Sequence, residues 1–182
     1  MTTMIKSKFK ALLVMVTISC MAMIAIFPAT ATNAYAYEGP LTQEASWKSS
    51  DGGRNMYTHA TLQRSGPLAG QLDVMTRTKN NVLMTGFTGG VFILLRNVDG
   101  AVIGVTGMQK YGVDGKWIGR YDRTDYWSWS FDPQVAAATA SLQIVQQHAA
   151  KDLSDQLAYW QSVVCGNLDR LGFPKPPYGC PA

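Results

Sequence analysis

The seven residues Val91 to Asn97, VFILLRN, constrain this chain more than any other segment. A nearly continuous apolar run of strand length points to a strand buried on both faces, and such a strand needs covering layers on either side. Asp99-Gly100 follows at once, and Asp-Gly supplies the positive φ values of a tight hairpin turn, so Ala101 to Thr106 is expected as the partner strand. A second Asp-Gly, Asp114-Gly115, separates Met108–Val113 from Lys116–Tyr121 and predicts another hairpin. The middle of the protein therefore reads as an antiparallel meander.

Upstream, Tyr57–Gln63 and Leu72–Thr78 have the β-branched and aromatic content of strands, joined by a turn-rich loop from Ser65 to Gly70. Asn80-Asn81 tolerates positive φ and is expected to turn the chain into a strand over Val82–Phe87. The polar stretch Tyr37–Gly53, around Trp47, reads as a leading arm or short edge strand.

After Asp132-Pro133 the composition switches to alanine, glutamine and leucine, with Asp132 placed as an N-cap and Pro133 at the first helical position. Apolar residues recur every three or four positions from Val135 through Ala138, Leu142, Val145, Ala149, Leu153, Leu157, Trp160 and Val164 to Leu168, which is a helical stripe. Its middle is ambiguous, because Leu-Gln-Ile-Val-Gln within Thr139–Ala149 also suits a strand. Helix is predicted for Ser154–Cys165 and both states stay open for Thr139–Ala149. These elements sum to an α+β fold: an antiparallel sheet or flattened barrel of six to eight strands with a carboxy-terminal helix. An all-β sandwich with a terminal helix is the alternative.

The amino terminus belongs to a different class of segment. Lys6, Lys8 and Lys10 precede an apolar run from Ala11 to Phe27, and Ala34-Tyr35-Ala36 puts small residues at minus three and minus one of a cleavage site. Residues 1–36 are read as a secretory signal peptide, with membrane contact only during export, or as an uncleaved anchor in the alternative. Lipid attachment at Cys20 is disfavoured by Thr17 three positions before it. Without this leader, thirteen basic and twelve acidic residues remain, a net charge of +1, and no block of one sign is left to attract nucleic acid.

Residues 37–182 are long enough for one domain with a real core. Cys165 and Cys180, an even pair in an exported chain, are expected to form a disulfide that tethers the Pro- and Gly-rich tail 165–182.

Candidate chemistry is sparse. Trp117, Trp127 and Trp129 crowd together with Tyr121, Tyr126 and Phe131. If Asp125–Phe131 is extended, Trp127, Trp129 and Phe131 share one face and Tyr126, Ser128 and Ser130 the other. Such rings, with Arg120, Asp122, Arg123 and Asp125 as polar neighbours, suit stacking on sugars; packing between sheet and helix is the competing use. The candidate binding set is Trp117, Tyr121, Arg123, Asp125, Trp127 and Trp129.

The glycines Gly86, Gly89 and Gly90 match neither a P-loop nor a dinucleotide fingerprint and read as turn glycines. His59 and His148 are far apart and the cysteines are expected to pair, so neither a metal nor a cofactor is expected. A glycosidase-like pair of Asp122 and Asp125, with His59 as an additional candidate, requires Tyr121–Asp125 to be a loop, since residues three apart on a strand face opposite ways. The leading functional expectation is an exported, non-catalytic binding protein for a saccharide or cell-envelope component. An extracellular hydrolase using Asp122 or Asp125, and a secreted inhibitor or protein partner presenting Ser65–Gly70, are the alternatives.

Overall fold

In the computed structural model, which describes residues 37–115, 121–177 and 179–180, eight strands and two helices follow in order. They are β1 (Pro40–Lys48), β2 (Arg54–Gln63), β3 (Gln71–Asn80), β4 (Phe87–Arg96), β5 (Val102–Val105), β6 (Gln109–Val113), β7 (Tyr121–Ser130), α1 (Pro133–Ala137), β8 (Ser141–Gln147) and α2 (Ala150–Leu171). The leader, residues 1–36, lies outside the described residues, which all belong to one compact unit within Tyr35–Ala182. Among the described residues no helix is long and apolar enough to cross a membrane.

The first sheet has the order β1-β2-β3-β7, antiparallel throughout. The second is built on β4: β8 pairs with Gly90–Arg96, β6 with Phe87–Val91 and β5 with Leu94–Arg96. A strand has two edges, and β8 overlaps both short strands, so β5 and β6 share the edge opposite β8. The architecture is α+β, with antiparallel sheets and a carboxy-terminal helix. Val91 to Leu95 are wholly buried because β4 is central in its sheet, with the first sheet on one side and α2 on the other. Each such aliphatic side chain contributes about 1.5–3 kcal/mol by leaving water.

Several local expectations are corrected. The meander fails after β5: β5 and β6 both lie along ten-residue β4 and do not pair with each other, while β7 joins β3 in the first sheet. The strand expected over Val82–Phe87 is a loop up to Phe87. The buried Asn80 carboxamide captures it, donating to Thr85 O at 2.8 Å and accepting from Val82 N at 2.9 Å. The hairpin partner over Lys116–Tyr121, with Trp117, falls mostly outside the described residues.

Gly89 and Gly90 are strand residues rather than turn residues. A Cβ on Gly89 would meet Met56 Sδ at 2.8 Å, and one on Gly90 would meet Ala150 Cα and Leu153 Cδ1 at 3.0 Å, so these glycines admit close packing. Thr139–Ala149, open in the sequence, contains strand β8, which enters by Ala140 N donating to Arg96 O at 2.8 Å. The helical stripe is thus split between a five-residue α1, capped by Asp132, and the longer α2. Helix α2 begins four residues before the expected Ser154 and ends at Gly172, whose φ of 72° suits its role as a left-handed cap.

Cys165 and Cys180 form the expected disulfide. The tethered tail, with Pro174, Pro176 and Pro177, lines a small crevice together with Trp129, Phe131, Val135 and Leu168.

Candidate functional site

Strand β7 presents two different faces. Its register sets Trp129 opposite Leu72, Trp127 opposite Val74, Asp125 opposite Thr76, Arg123 opposite Thr78 and Tyr121 opposite Asn80. Those five β3 residues are all buried, and directly paired residues share a face of the sheet, so the odd-numbered β7 residues point inward. Asp122, Thr124, Tyr126, Ser128 and Ser130 point outward and are exposed. Five of the six candidate binding residues are therefore brought together on one inward face; the sixth, Trp117, lies outside the described residues.

The inward face of β7 is incompletely covered because the two sheets meet differently along their two sides. On the β1 side they are joined, with Gln146 of β8 donating from Nε2 to Ala45 O at 2.9 Å. On the other side β7 is the edge of its sheet, and among the described residues no strand pairs with its outer edge. Its inward side chains remain partly solvent-exposed, 43 % for Arg123 and 27 % for Asp125.

Arg123 and Asp125 form an ion pair at 2.6 Å, and Arg123 also donates to the Tyr121 hydroxyl at 3.4 Å. The bond to Asp125 comes first, and that to Tyr121 second, in raising the guanidinium pKa further above its already high value. The two charges cancel locally, leaving hydrogen-bonding capacity without net charge. Next along the strand, Trp127 touches both clusters of buried side chains, and Trp129 lies near the backbone of Gly107, where an added Cβ would be 3.0 Å from its ring. Both indoles are only partly buried, so one ring is shared between packing and surface.

Behind these rings the interior is unexpectedly polar. Thr58, Thr76 and Thr78 are fully buried on the inward faces of β2 and β3. Thr58 donates to Gln146 Oε1 at 2.6 Å, which makes Thr76 the donor in the 3.2 Å contact between the two threonine hydroxyls. Tyr111 of β6 lies beside Thr76 and Trp127, but its hydroxyl makes a well-formed hydrogen bond with neither. Burial is the main reason that its phenol pKa is raised. Thr78 Oγ1 and Trp127 Nε1 are likewise buried without a partner.

The remaining candidates fall elsewhere. Asp122 is on the outer face, bound by both arms of Arg77 at 2.7 and 2.6 Å, whereas Asp125 is inward with Arg123. The loop that a catalytic pairing of these carboxylates requires is not formed, since Tyr121–Asp125 is strand. Tyr126 is 79 % exposed on the outer face, beside His59, Asp73 and Met75 around a shallow hollow of about 670 Å³. His59 sits 3.8 Å from Glu44. Among the described residues no group of three or more histidine, cysteine or acidic side chains is placed to hold a metal.

Sequence reasoning missed Tyr111, Thr76 and Thr78. The available signal was the alternation itself: in Val74-Met75-Thr76-Arg77-Thr78-Lys79-Asn80 the inward positions of a core strand change from apolar to polar halfway along. Comparison of the chain with protein-family models, with curated proteins and with solved structures finds no match in any of the three.

Proposed function

We propose that the protein is exported and acts outside the cytoplasm as a non-catalytic binding module, with a saccharide or other hydroxyl-rich cell-envelope component as ligand. The observation that carries this reading is the inward face of β7, where Tyr121, Arg123, Asp125, Trp127 and Trp129 share one partly exposed surface at the side where the sheets part. Partly exposed rings offer stacking faces, and the Arg123–Asp125–Tyr121 group offers hydrogen bonds without net charge, a combination suited to a neutral polyol. The Cys165–Cys180 disulfide supports export, because such bonds persist in oxidising compartments.

The test is retention of residues 37–182 on insoluble polysaccharides and cell envelopes, beside Trp127→Ala, Trp129→Ala and Arg123→Gln. Because both tryptophans also pack, Trp127→Phe and Trp129→Phe accompany them and each variant is checked by circular dichroism. Retention by the parent and at least tenfold weakening in the folded variants is expected. A parent that binds none of the matrices overturns the reading, as do folded variants that bind like the parent. Asp125→Asn, assayed for sugar release, separates binding from hydrolysis: loss of a measurable activity there would restore the carboxylate as catalytic.

A further inference from the structure

We propose that the outer face of the first sheet is a second binding surface, for an oligosaccharide whose neutral sugars lie against Tyr126 and whose acidic group, a carboxylate or a phosphate, lies between Lys48 and Lys79. It is the opposite side of the sheet from the one toward which Trp127 and Trp129 point, and it does not depend on their role.

Strand register arranges the outward side chains in rows across the sheet. Thr61, Asp73 and Ser128 form one row, and His59, Met75 and Tyr126 the next. These two rows line the hollow of about 670 Å³. Ser46, Tyr57 and Arg77 follow, then Lys48, Asn55 and Lys79, and these line a second hollow of about 270 Å³. From Asp73 to Lys79 the strand rises roughly 20 Å at ~3.4 Å per residue, a length that suits several sugars in line rather than one.

An exposed antiparallel face is polar because it meets water, and polarity alone marks no site. This face differs between its two ends. Every charged side chain lining the smaller hollow is cationic: Lys48, Arg77 and Lys79. Arg77 is bound to Asp122, and Lys79 acts on the same carboxylate through space, so three cations face one carboxylate. Among the described residues neither lysine forms an ion pair. Lys48 and Lys79 pair with Asn55 from its two sides, which sets their backbones roughly 10 Å apart across β2. Two long side chains at that separation can converge on one anionic group.

The larger hollow has the opposite character. Its carboxylate, Asp73, accepts from Gln71 Nε2 at 2.8 Å and stands in the same row as the Thr61 and Ser128 hydroxyls. Glu44, 3.8 Å from His59, puts a second carboxylate at this end. Such groups accept from sugar hydroxyls and repel another anion. Tyr126, 79 % exposed, presents its ring as a stacking face beside them. A uniformly charged chain such as a nucleic acid meets like charge here, whereas a sugar chain with its acid at one end meets complementary groups along its whole length.

The experiment titrates residues 37–182 with 3′-sialyllactose as the carboxylate probe, lactose 1-phosphate as the phosphate probe and lactose as the neutral one, read by calorimetry. Trigalacturonate and a short oligothymidylate are the uniformly charged probes. Saturable binding of at least one of the two singly acidic probes is expected, at least tenfold tighter than lactose and weakened by sodium chloride. Which of the two binds more tightly identifies the acidic group. Lys48→Gln, Lys79→Gln and Tyr126→Ala should each weaken that binding at least fivefold. Their melting midpoints should stay within about 2 °C of the parent, because changes at surface positions cost little.

Four results overturn the outer site: lactose bound as tightly as the acidic probes, trigalacturonate or oligothymidylate bound more tightly than both, folded variants that bind like the parent, or no acidic probe bound at all. In the last case, retention on polysaccharides that is lost in the folded Trp127 and Trp129 variants leaves the inward face of β7 standing alone. Binding of the acidic probes lost in folded Trp127→Phe and kept in Tyr126→Ala moves the ligand to that inward face and also overturns the outer site.

Discussion

Replacing Gly90 by alanine tests whether β4 and α2 are as closely seated as the geometry requires. Gly90 pairs with Lys110 on one side and Gln147 on the other, so its backbone is held by hydrogen-bonded neighbours on both edges. A Cβ there would sit 3.0 Å from Ala150 Cα, 3.0 Å from Leu153 Cδ1 and 3.1 Å from Ala150 Cβ. Comfortable carbon contacts are about 3.5–4.0 Å, so the first turn of α2 must retreat by roughly half an ångström or more. It does not retreat freely, because Leu153, Val164 and Leu168 anchor the same helix in the core at 1–2 % exposure.

Overpacking of this kind costs about 1–3 kcal/mol, while the loss of glycine's freedom in the unfolded chain offsets about 0.4–1 kcal/mol. The net expectation is a loss of roughly 1–2 kcal/mol, or about 3–8 °C in the thermal midpoint for a domain of this size. Urea unfolding followed by tryptophan fluorescence measures it. Gly112→Ala on β6 is the control, since a Cβ there meets nothing within 4 Å, and it should be neutral or slightly stabilising. Equal stability of the two variants would refute the reasoning, because the contact with α2 would then be soft.

The disulfide closes a loop of 15 residues, so Cys165→Ala/Cys180→Ala should lose about 3 kcal/mol, seen as a lower urea midpoint that a reductant no longer changes. A variant as stable as the oxidised parent would mean that the tail contributes nothing to global stability. Arg77 holds the Asp122 carboxyl below its usual pKa, and Ser49 followed by the Gly53 amide does the same for Asp51. A carboxylate with a depressed folded pKa contributes fully above the ordinary range near pH ~4, and the contribution is lost as pH falls through the folded value. Stability should therefore decline on acidification below about pH 4, and Asp122→Asn should flatten part of that slope in urea midpoints taken from pH 6 to 2.5. The pair is exposed and screened by solvent, so its share is small, and an identical slope in the variant excludes it as a contributor.

Much of the local structure was legible in the chain. Asp99-Gly100 marked the hairpin, Asp132-Pro133 marked α1, and the two-residue period of β7 separated Trp127 and Trp129 from Tyr126 and Ser128. These signals are local: turns, caps and alternation depend on residues within a few positions of one another. The stripe from Val135 to Leu168 misled at its centre because a spacing of three or four does not exclude a strand. Ile144 and Val145 suit either state, and the vacant edge of β4 took Ser141–Gln147 as β8. The same local logic could not foresee that β5 and β6 share one edge of β4.

The candidate site divides along the same line. Its β7 half was readable, because alternation alone puts Tyr121, Arg123, Asp125, Trp127 and Trp129 on one face once the segment is extended. Its polar interior was not, since Thr58 and Gln146 are 88 residues apart in the chain and meet only because β2 and β8 lie in facing sheets. The sequence by itself determined the periods, turns and cap that make these strands and begin the first helix. The tertiary structure decided which edges pair, that β1 and β8 join the sheets on one side while β7 is an edge strand on the other, and that Thr58 of β2 bonds Gln146 of β8 between them. Sheet pairing is settled by burial and hydrogen bonding summed over the whole assembly, and no short stretch of chain contains that sum.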